Sequence, residues 1–159
     1  RAGPNVTALD ICIVSAHIKF MIELAAAVRT SSAAPADYFA RWIDHASWPE
    51  WSPDTEWVRV EGPVRAGTRG VLKPVGGPKT RFTISECEQD RVYTDVSSVP
   101  GARLTFRHTV ESAPNGSTLT VRVWMTGPLA RVWARTAFKG FSVSVPEDLD
   151  RLIALVETP

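Results

Sequence analysis

Cysteine and histidine are scarce in this sequence. There are two cysteines, Cys12 and Cys87, and three scattered histidines, His17, His45 and His108. No Cys-x-x-Cys pair is present, and the histidines lack the spacing of metal ligands, so we expect no metal ion and no cofactor. The simple interpretation is a reduced cytoplasmic protein. A Cys12–Cys87 disulfide is the less favoured alternative, because two cysteines are a weak framework.

A strong charge of one sign is also lacking. Eighteen basic and seventeen acidic residues leave a net charge of +1, whereas a nucleic-acid-binding domain would show a strongly basic face. The length of 159 residues and the hydrophobic fraction of 44% are typical of one folded domain. We therefore expect a single domain that does not bind nucleic acid. The sequence carries no signal for an oligomeric state.

Long hydrophobic runs are missing as well. The best run, Phe20 to Val28, has nine residues and includes Glu23, whereas a membrane-spanning helix needs about 20. A signal peptide over residues 10–36 is rejected, because His17 and Lys19 interrupt its apolar stretch. We expect no stable membrane insertion.

The domain is assigned to residues 18–159. Residues 1–17 are an N-terminal extension, which is either partly vector-derived or continues the first strand. From Ile18 to Val28 apolar residues alternate, which predicts a half-buried strand. The side chains expected on one face of this strand are Phe20, Ile22, Leu24, Ala26 and Val28.

Two short helices are predicted next. Pro35 and Asp37 suit the first turn of a helix, and its apolar face contains Tyr38, Phe39, Trp42 and Ile43. The proline-rich segment from 44 to 53 predicts a short helix or turn.

From residue 55 the pattern changes to alternation broken by turn residues every 11–14 positions, which is typical of an antiparallel meander. Strands are predicted near 55–61, 68–74, 79–87, 91–98, 102–112 and 117–126.

A long C-terminal helix follows Gly127-Pro128, with a kink or break expected near 142–146 because of Pro146. Its apolar face is expected to contain Leu129, Val132, Trp133, Thr136, Gly140 and Phe141, then Leu149, Leu152, Ile153 and Val156. Another face carries Arg131, Arg135 and Lys139, interpreted as solvated. Weak contact with an anionic membrane or a carrier protein is the alternative interpretation.

This order predicts an α+β fold in which a curved seven-stranded sheet grips the long helix. Because one helix is only about 10 Å wide, it cannot cover such a sheet completely. An apolar gap, where small molecules bind, is the expected result.

The chain resembles a known superfamily. The order of elements, the Asp44…Trp48-Pro49-x-Trp51 segment, the Gly62-Pro63…Gly67-Thr68-Arg69-Gly70 hairpin and the closing Thr126-Gly127-Pro128-Leu129 are similar to START/Bet v 1-like (SRPBCC) proteins. The bacterial polyketide cyclase/dehydrase-like branch is the most similar. The resemblance implies a helix-grip fold and an ancestry of ligand pockets rather than one reaction.

His108 is the main candidate for chemistry. Leu104, Phe106, His108 and Val110 alternate, which places an imidazole on the apolar side. Such a group can act as a base or polarise a carbonyl, although a core histidine satisfied by its neighbours gives the same pattern. A histidine stands at the corresponding place in many members of the branch.

Tyr93 and Asp95 share one face of their strand, and Tyr93 with His108 is the predicted catalytic pair. The alternative is that Val92 and Val96 point inward and Asp95 is solvated. Trp48 and Trp51 are either a pocket lid or anchors of a short helix, the second being favoured. The predicted ligand contacts are Trp133, Phe106, His108, Tyr93, Val121, Val123, Phe82, Leu72, Gly140 and Phe141.

Three functions remain open. The first is a carrier or sensor for a small hydrophobic molecule such as a lipid or polyketide. The second is an aromatase/cyclase or dehydratase without a cofactor, because an aldol cyclisation needs only a base and a hydrogen-bond donor. The third is an interaction protein whose pocket is filled by its own side chains.

Overall fold

The computed structural model describes residues 21–158. The predicted extension over residues 1–17, the predicted strand start at 18–20 and the pairing of Cys12 with Cys87 lie outside the described residues.

Seven antiparallel strands form one curved sheet. The meander β2 to β7 runs across the sheet in sequence order, and β1 pairs with β7 at the far edge. Every boundary of the six meander strands agrees within one residue with the prediction, because glycine, proline and asparagine mark most of their turns and Asp90, with a positive φ, marks the one between β4 and β5. The strands are β1 (Ile22–Ser31), β2 (Thr55–Val60), β3 (Arg69–Pro74), β4 (Thr80–Glu88), β5 (Val92–Val99), β6 (Ala102–Ala113) and β7 (Gly116–Thr126).

The predicted face of β1 is wrong beyond Leu24. The register against β7 shifts between Glu23 and Ala25, where a β-bulge adds one residue. A shift of one residue exchanges the two faces of a strand. Ala25 and Ala27 are therefore buried, and Val28, predicted to be inside, is 58% exposed.

Helices lie in the two predicted regions, between β1 and β2 and after β7. Between β1 and β2 lie α1 (Pro35–Ile43), one 3₁₀ turn (His45–Ser47) and the short helix α2 (Trp48–Trp51). After β7 come α3 (Ala130–Arg135) and α4 (Phe141–Glu157). The helix-grip α+β fold is confirmed.

The position predicted for the break in the C-terminal helix is wrong. The break lies at residues 136–140, and Pro146 is inside α4. The amide N–H groups of Thr136 and Phe138 both donate to the Trp133 carbonyl oxygen, at 3.2 and 3.1 Å, and this closes α3. Pro146 costs α4 one backbone hydrogen bond, which the buried neighbours Val145 and Leu149 compensate by packing.

The apolar face predicted for this helix is confirmed at its C-terminal end and wrong at its start. Leu149 and Leu152 are 4% and 0% exposed. Leu129 and Val132 are instead 43% and 56% exposed. Because the chain turns away between α3 and α4, these two side chains do not continue the buried stripe.

Side-chain hydrogen bonds hold α4 against the elements beside it. Nε of Arg29 on β1 donates to Asp150 at 2.7 Å, and Oγ of Ser52 donates to Asp148 at 2.8 Å. Oγ of Ser31 donates to the Glu157 carboxylate at 2.6 Å. The C-terminal two thirds of α4 is thus held against the sheet.

Candidate functional site

The inner face of the sheet brings three of the predicted polar side chains together. In the β5–β6 register Tyr93 lies opposite His108, and Asp95 lies opposite Phe106. Side chains of paired residues project from the same face of a sheet. Tyr93, Asp95 and His108 are 0%, 5% and 9% exposed, so all three point into the interior.

His108 lies among aromatic rings. Its imidazole centroid is 5.5 Å from the Trp42 ring on α1, 6.4 Å from Trp51 on α2 and 6.5 Å from Phe106, on which it stacks. No other described residue hydrogen-bonds its ring nitrogens. Burial lowers the pKa of His108 to about 4, because the apolar surroundings disfavour the imidazolium. The imidazole is therefore neutral at physiological pH and can donate one hydrogen bond and accept another.

Asp95 is the second buried group without a partner. Its carboxyl makes no hydrogen bond or ion pair with any residue between 21 and 158, and burial raises its pKa to about 7. A carboxyl with this pKa exists near neutrality in both protonation states. The indole N–H groups of Trp42 and Trp51, whose rings lie beside His108, also lack a partner among the described residues, as does Nδ1 of His45. Buried polar groups are nearly always hydrogen-bonded, so this cluster marks a position suited to a ligand or bound water.

Tyr93 is engaged elsewhere. Its hydroxyl oxygen lies 2.8 Å from Nε2 of His45, and its ring centroid is 6.4 Å from that of His108. Burial raises the pKa of Tyr93 and lowers that of His45, so both are neutral and the phenol can donate its proton to Nε2. The predicted pair therefore shares a face, but its hydroxyl is directed to a different histidine.

His45 is the residue that sequence reasoning missed. It is 4% exposed and lies in the 3₁₀ turn between α1 and α2. A signal for its burial was available, because Tyr38, Trp42 and His45 follow the i, i+4, i+7 spacing of one helical face. The proline-rich segment after it concealed how far that face continues.

A row of aromatic rings leads from the surface to His108. The centroid distances are 6.0 Å from Trp133 to Phe138, 5.0 Å from Phe138 to Phe141 and 5.6 Å from Phe141 to Phe106. Trp133, Phe138, Phe141 and Phe106 are all partly exposed, whereas His108 is buried. The row of rings therefore runs from α3 to the imidazole of His108.

The other predicted contacts fall into two groups. Phe82, Val121 and Val123 are buried on the inner face, at 3%, 2% and 0% exposure. Leu72 is half-buried near the β2 edge, and Gly140 is exposed at the N-terminal end of α4. Gly140 lies in the chain between Phe138 and Phe141 of the row of rings, and its contribution as a ligand contact stays a prediction.

The two tryptophans of α2 are buried, in agreement with the favoured interpretation of an anchored short helix. Trp48 is 6% exposed, and its indole N–H donates to the Trp42 carbonyl oxygen at 3.1 Å. Trp51 is 5% exposed, and its N–H has no partner among the described residues. In this part of the chain no group of three or more His, Cys, Asp or Glu side chains could hold a metal ion.

A curved antiparallel sheet, a gripped C-terminal helix and polar groups at the end of an apolar interior define the class of helix-grip domains. The family described as "Polyketide cyclase / dehydrase and lipid transport" matches residues 21–157, and the chain belongs to it. No curated protein matches the chain in sequence.

Solved structures of the same fold include two aromatase/cyclases and a protein called Ara h 8.0201. The di-domain protein StfQ of the steffimycin pathway is 15% identical, with 91% of this chain and 54% of that chain covered and a TM-score of 0.71. Zhui from Streptomyces sp. R1128 is 14% identical, with 86% of this chain and 94% of that chain covered and a TM-score of 0.67. Ara h 8.0201 is 18% identical, with 87% of this chain and 99% of that chain covered and a TM-score of 0.66. The chain spans about half the length of StfQ, and these likenesses show the fold.

Proposed function

We propose that this protein binds a small hydrophobic molecule that carries an oxygen atom at one end. The molecule lies between the inner face of the sheet and α4, with its oxygen at His108 and Asp95. The observation that carries the proposal is a pair of buried polar side chains, diagonal to each other on the inner face of the sheet and without partners among the described residues, with the row of aromatic rings beside them.

The chemistry of the two groups selects an uncharged ligand oxygen. Neutral His108 offers an N–H donor, and the Asp95 carboxyl offers a donor or an acceptor according to its protonation state. A fully charged ligand group would enter an apolar interior that already disfavours charge at both positions. A carbonyl or a phenol satisfies both side chains without adding charge.

Paired probes test this proposal. 1-Naphthol and naphthalene differ by one hydroxyl, and their binding can be followed by quenching of tryptophan fluorescence. Wild type is expected to bind 1-naphthol about tenfold more tightly than naphthalene, as one well-placed hydrogen bond provides. In His108→Leu this preference is expected to disappear while naphthalene binding is retained, which also shows that the site is intact. Failure of wild type to bind either probe would contradict the proposal.

A second candidate function is cyclisation of a poly-β-keto chain, and the pKa of Asp95 favours it. An acid–base catalyst is most effective when its pKa lies near the working pH. The Asp95 carboxylate would remove an α-proton, and the resulting enolate carbon would form a C–C bond with a second carbonyl carbon. That carbonyl oxygen, held by the His108 N–H, would take the proton back from Asp95, so the step consumes no other reagent.

A linear tetraketide thioester tests the second candidate. Mass spectrometry is expected to show its cyclised and dehydrated product forming faster with wild type, with Asp95→Asn at least 100-fold slower. Equal rates in wild type, Asp95→Asn and buffer alone would leave only the binding function.

A further inference from the structure

The segment from Gly127 to Pro146, which contains α3 and the start of α4, has an unusual charge pattern. No acidic residue occurs between Glu111 and Glu147, although the whole chain has seventeen. The segment itself carries Arg131, Arg135 and Lys139, all exposed. None of these three forms an ion pair with a described residue, whereas seven of the other thirteen lysines and arginines in that part of the chain do. A local excess of positive charge thus faces solvent.

The same segment exposes apolar side chains. Six large apolar residues are exposed within residues 21–158, and three of them, Leu129, Val132 and Val143, lie within 15 positions of one another. They are 43%, 56% and 61% exposed. The partly exposed rings of Trp133 and Phe138 pack against each other in the same segment. Apolar and aromatic side chains mixed with unpaired cations are typical of surfaces that lie on a membrane.

The fold fixes this surface to the sheet. The indole N–H of Trp133 donates to the Pro100 carbonyl oxygen at 2.8 Å, and the amide N–H of Leu129 donates to the Gly101 carbonyl oxygen at 3.0 Å. The Trp133 ring also begins the aromatic row that leads inward through Phe141. The exposed segment is therefore held at the outer end of the row of aromatic rings.

We propose that this segment is a docking surface for an anionic lipid bilayer, in which Leu129, Val132 and Val143 enter the headgroup region and the three cations contact lipid phosphates. The proposed contact is peripheral. No described helix is long and apolar enough to cross a bilayer. An acidic protein would complement the cations as well, but it would leave the exposed valines without an apolar environment. The proposal goes beyond ligand binding and does not depend on it.

Co-sedimentation of the full chain with vesicles tests the contribution of the three cations to membrane binding. Wild type is expected to bind vesicles of equal parts phosphatidylcholine and phosphatidylglycerol, and to bind pure phosphatidylcholine weakly. Each cation near such a surface contributes about 1 kcal/mol, so the triple variant R131Q/R135Q/K139Q is expected to bind about 100-fold more weakly. R65Q/R69Q/R81Q is the matched control, because these three exposed arginines lie in and beside β3 and β4 and the charge change is equal. The control is expected to lose less than threefold.

A second pair of variants tests the apolar contribution. V132S/V143S is expected to weaken binding to the mixed vesicles at least tenfold. V28S/V75S is the control, because Val28 and Val75 are 58% and 61% exposed, almost the same as Val132 and Val143. Thermal unfolding of all variants shows whether each is folded.

Three results would overturn the proposal. The first is no binding of wild type to the mixed vesicles, and the second is an equal loss in the two charge variants. The third is weak vesicle binding by a wild type that binds soluble poly-glutamate. This poly-glutamate binding would be lost without Arg131, Arg135 and Lys139 and would be unchanged in V132S/V143S. That third outcome would identify an acidic protein as the partner. 1-Naphthol binding is measured in the absence of lipid, so it reports on the interior site separately.

Discussion

The hydroxyl oxygen of Tyr93 lies 2.8 Å from Nε2 of His45, so this buried phenol is held by the turn before α2 and not by the histidine opposite it in the sheet. The bond joins the α1–α2 connection to β5 across the interior. It also leaves His108 free of protein partners among the described residues. His45 therefore holds the Tyr93 hydroxyl, and His108 is available to a ligand.

Tyr93→Phe is expected to destabilise the fold and leave the proposed ligand site unchanged. It removes the hydroxyl and leaves Nε2 of His45 buried without a partner, which costs about 1–3 kcal/mol in the free energy of unfolding. Urea denaturation measures this loss. 1-Naphthol is expected to bind within threefold of wild type.

The only other tyrosine provides the control. Tyr38 is 0% exposed, and its hydroxyl donates to Oγ of Ser31. Ser31 pairs with Ser117 on β7, four residues from Val121, which pairs with His108. Tyr38→Phe is expected to lower stability in the same way. If Tyr93→Phe weakened 1-naphthol binding tenfold while Tyr38→Phe did not, the Tyr93 hydroxyl would contact the ligand, and its assignment to His45 would be wrong.

The sequence predicted the sheet well because its turns are chemically marked. Gly62, Gly76, Gly101 and Gly116 are in or beside the predicted breaks between strands, and all have positive φ, which favours glycine. Burial then alternates residue by residue along β7, whereas Val92 to Asp95 at the start of β5 are all buried. By contrast, the bulge after Glu23 has no such marker, and it reversed the face of the rest of β1.

The site was less predictable because it depends on contacts between distant elements. Alternation placed His108 on the inner side, and the register confirms that position. It could not decide the side of Asp95, because Val92 and Val96 offered an equally apolar opposite face. The partner of Tyr93 comes from a turn 48 positions away, and no local pattern encodes such a hydrogen bond.

Gly70→Ala is expected to destabilise the sheet at β3. A methyl group there would lie 2.4 Å from the Phe82 ring and 2.8 Å from the Arg59 carbonyl oxygen, both far inside van der Waals contact. Phe82 is 3% exposed and cannot move freely, so we expect a loss of about 1–3 kcal/mol by thermal or urea unfolding. Gly140→Ala is the control, because nothing lies within 4 Å of a methyl group there. Equal stability of the two variants would show that the Phe82 ring does not pack on Gly70.

Trp48→Phe is expected to cost about 1 kcal/mol more than Trp51→Phe. Both indoles are buried on α2, so the loss of ring area is matched. Only the Trp48 N–H has a hydrogen-bond acceptor among the described residues, the Trp42 carbonyl oxygen. The two free energies of unfolding, measured side by side in urea, give the difference. A larger cost for Trp51→Phe would mean that its N–H is bonded in solution.

Asp95→Asn is expected to stabilise the protein, and to do so more at high pH. Below about pH 3 the carboxyl is protonated in both the folded and the unfolded state. Between its ordinary pKa of 3.8 and the folded value of about 7, the unfolded chain releases the proton and the folded chain keeps it. Stability therefore falls as pH rises through this window, by about 4 kcal/mol in full.

An amide does not ionise, so Asp95→Asn removes this loss. The gain in the free energy of unfolding is expected to approach about 4 kcal/mol at pH 8 and to be less than half as large at pH 5. Asp54→Asn, on the surface, controls for the loss of one negative charge. A gain that did not depend on pH would contradict the buried, unpartnered carboxyl.

The same variant separates a structural role of Asp95 from a functional one. If the Asp95 carboxyl only lowers stability and has no function, Asp95→Asn changes neither 1-naphthol binding nor cyclisation. If Asp95→Asn is more stable yet binds 1-naphthol more weakly or loses cyclisation of the tetraketide thioester, the cost in stability is tied to the site, as is typical of functional residues. Unfolding and binding measured on one preparation at pH 8 decide between the two.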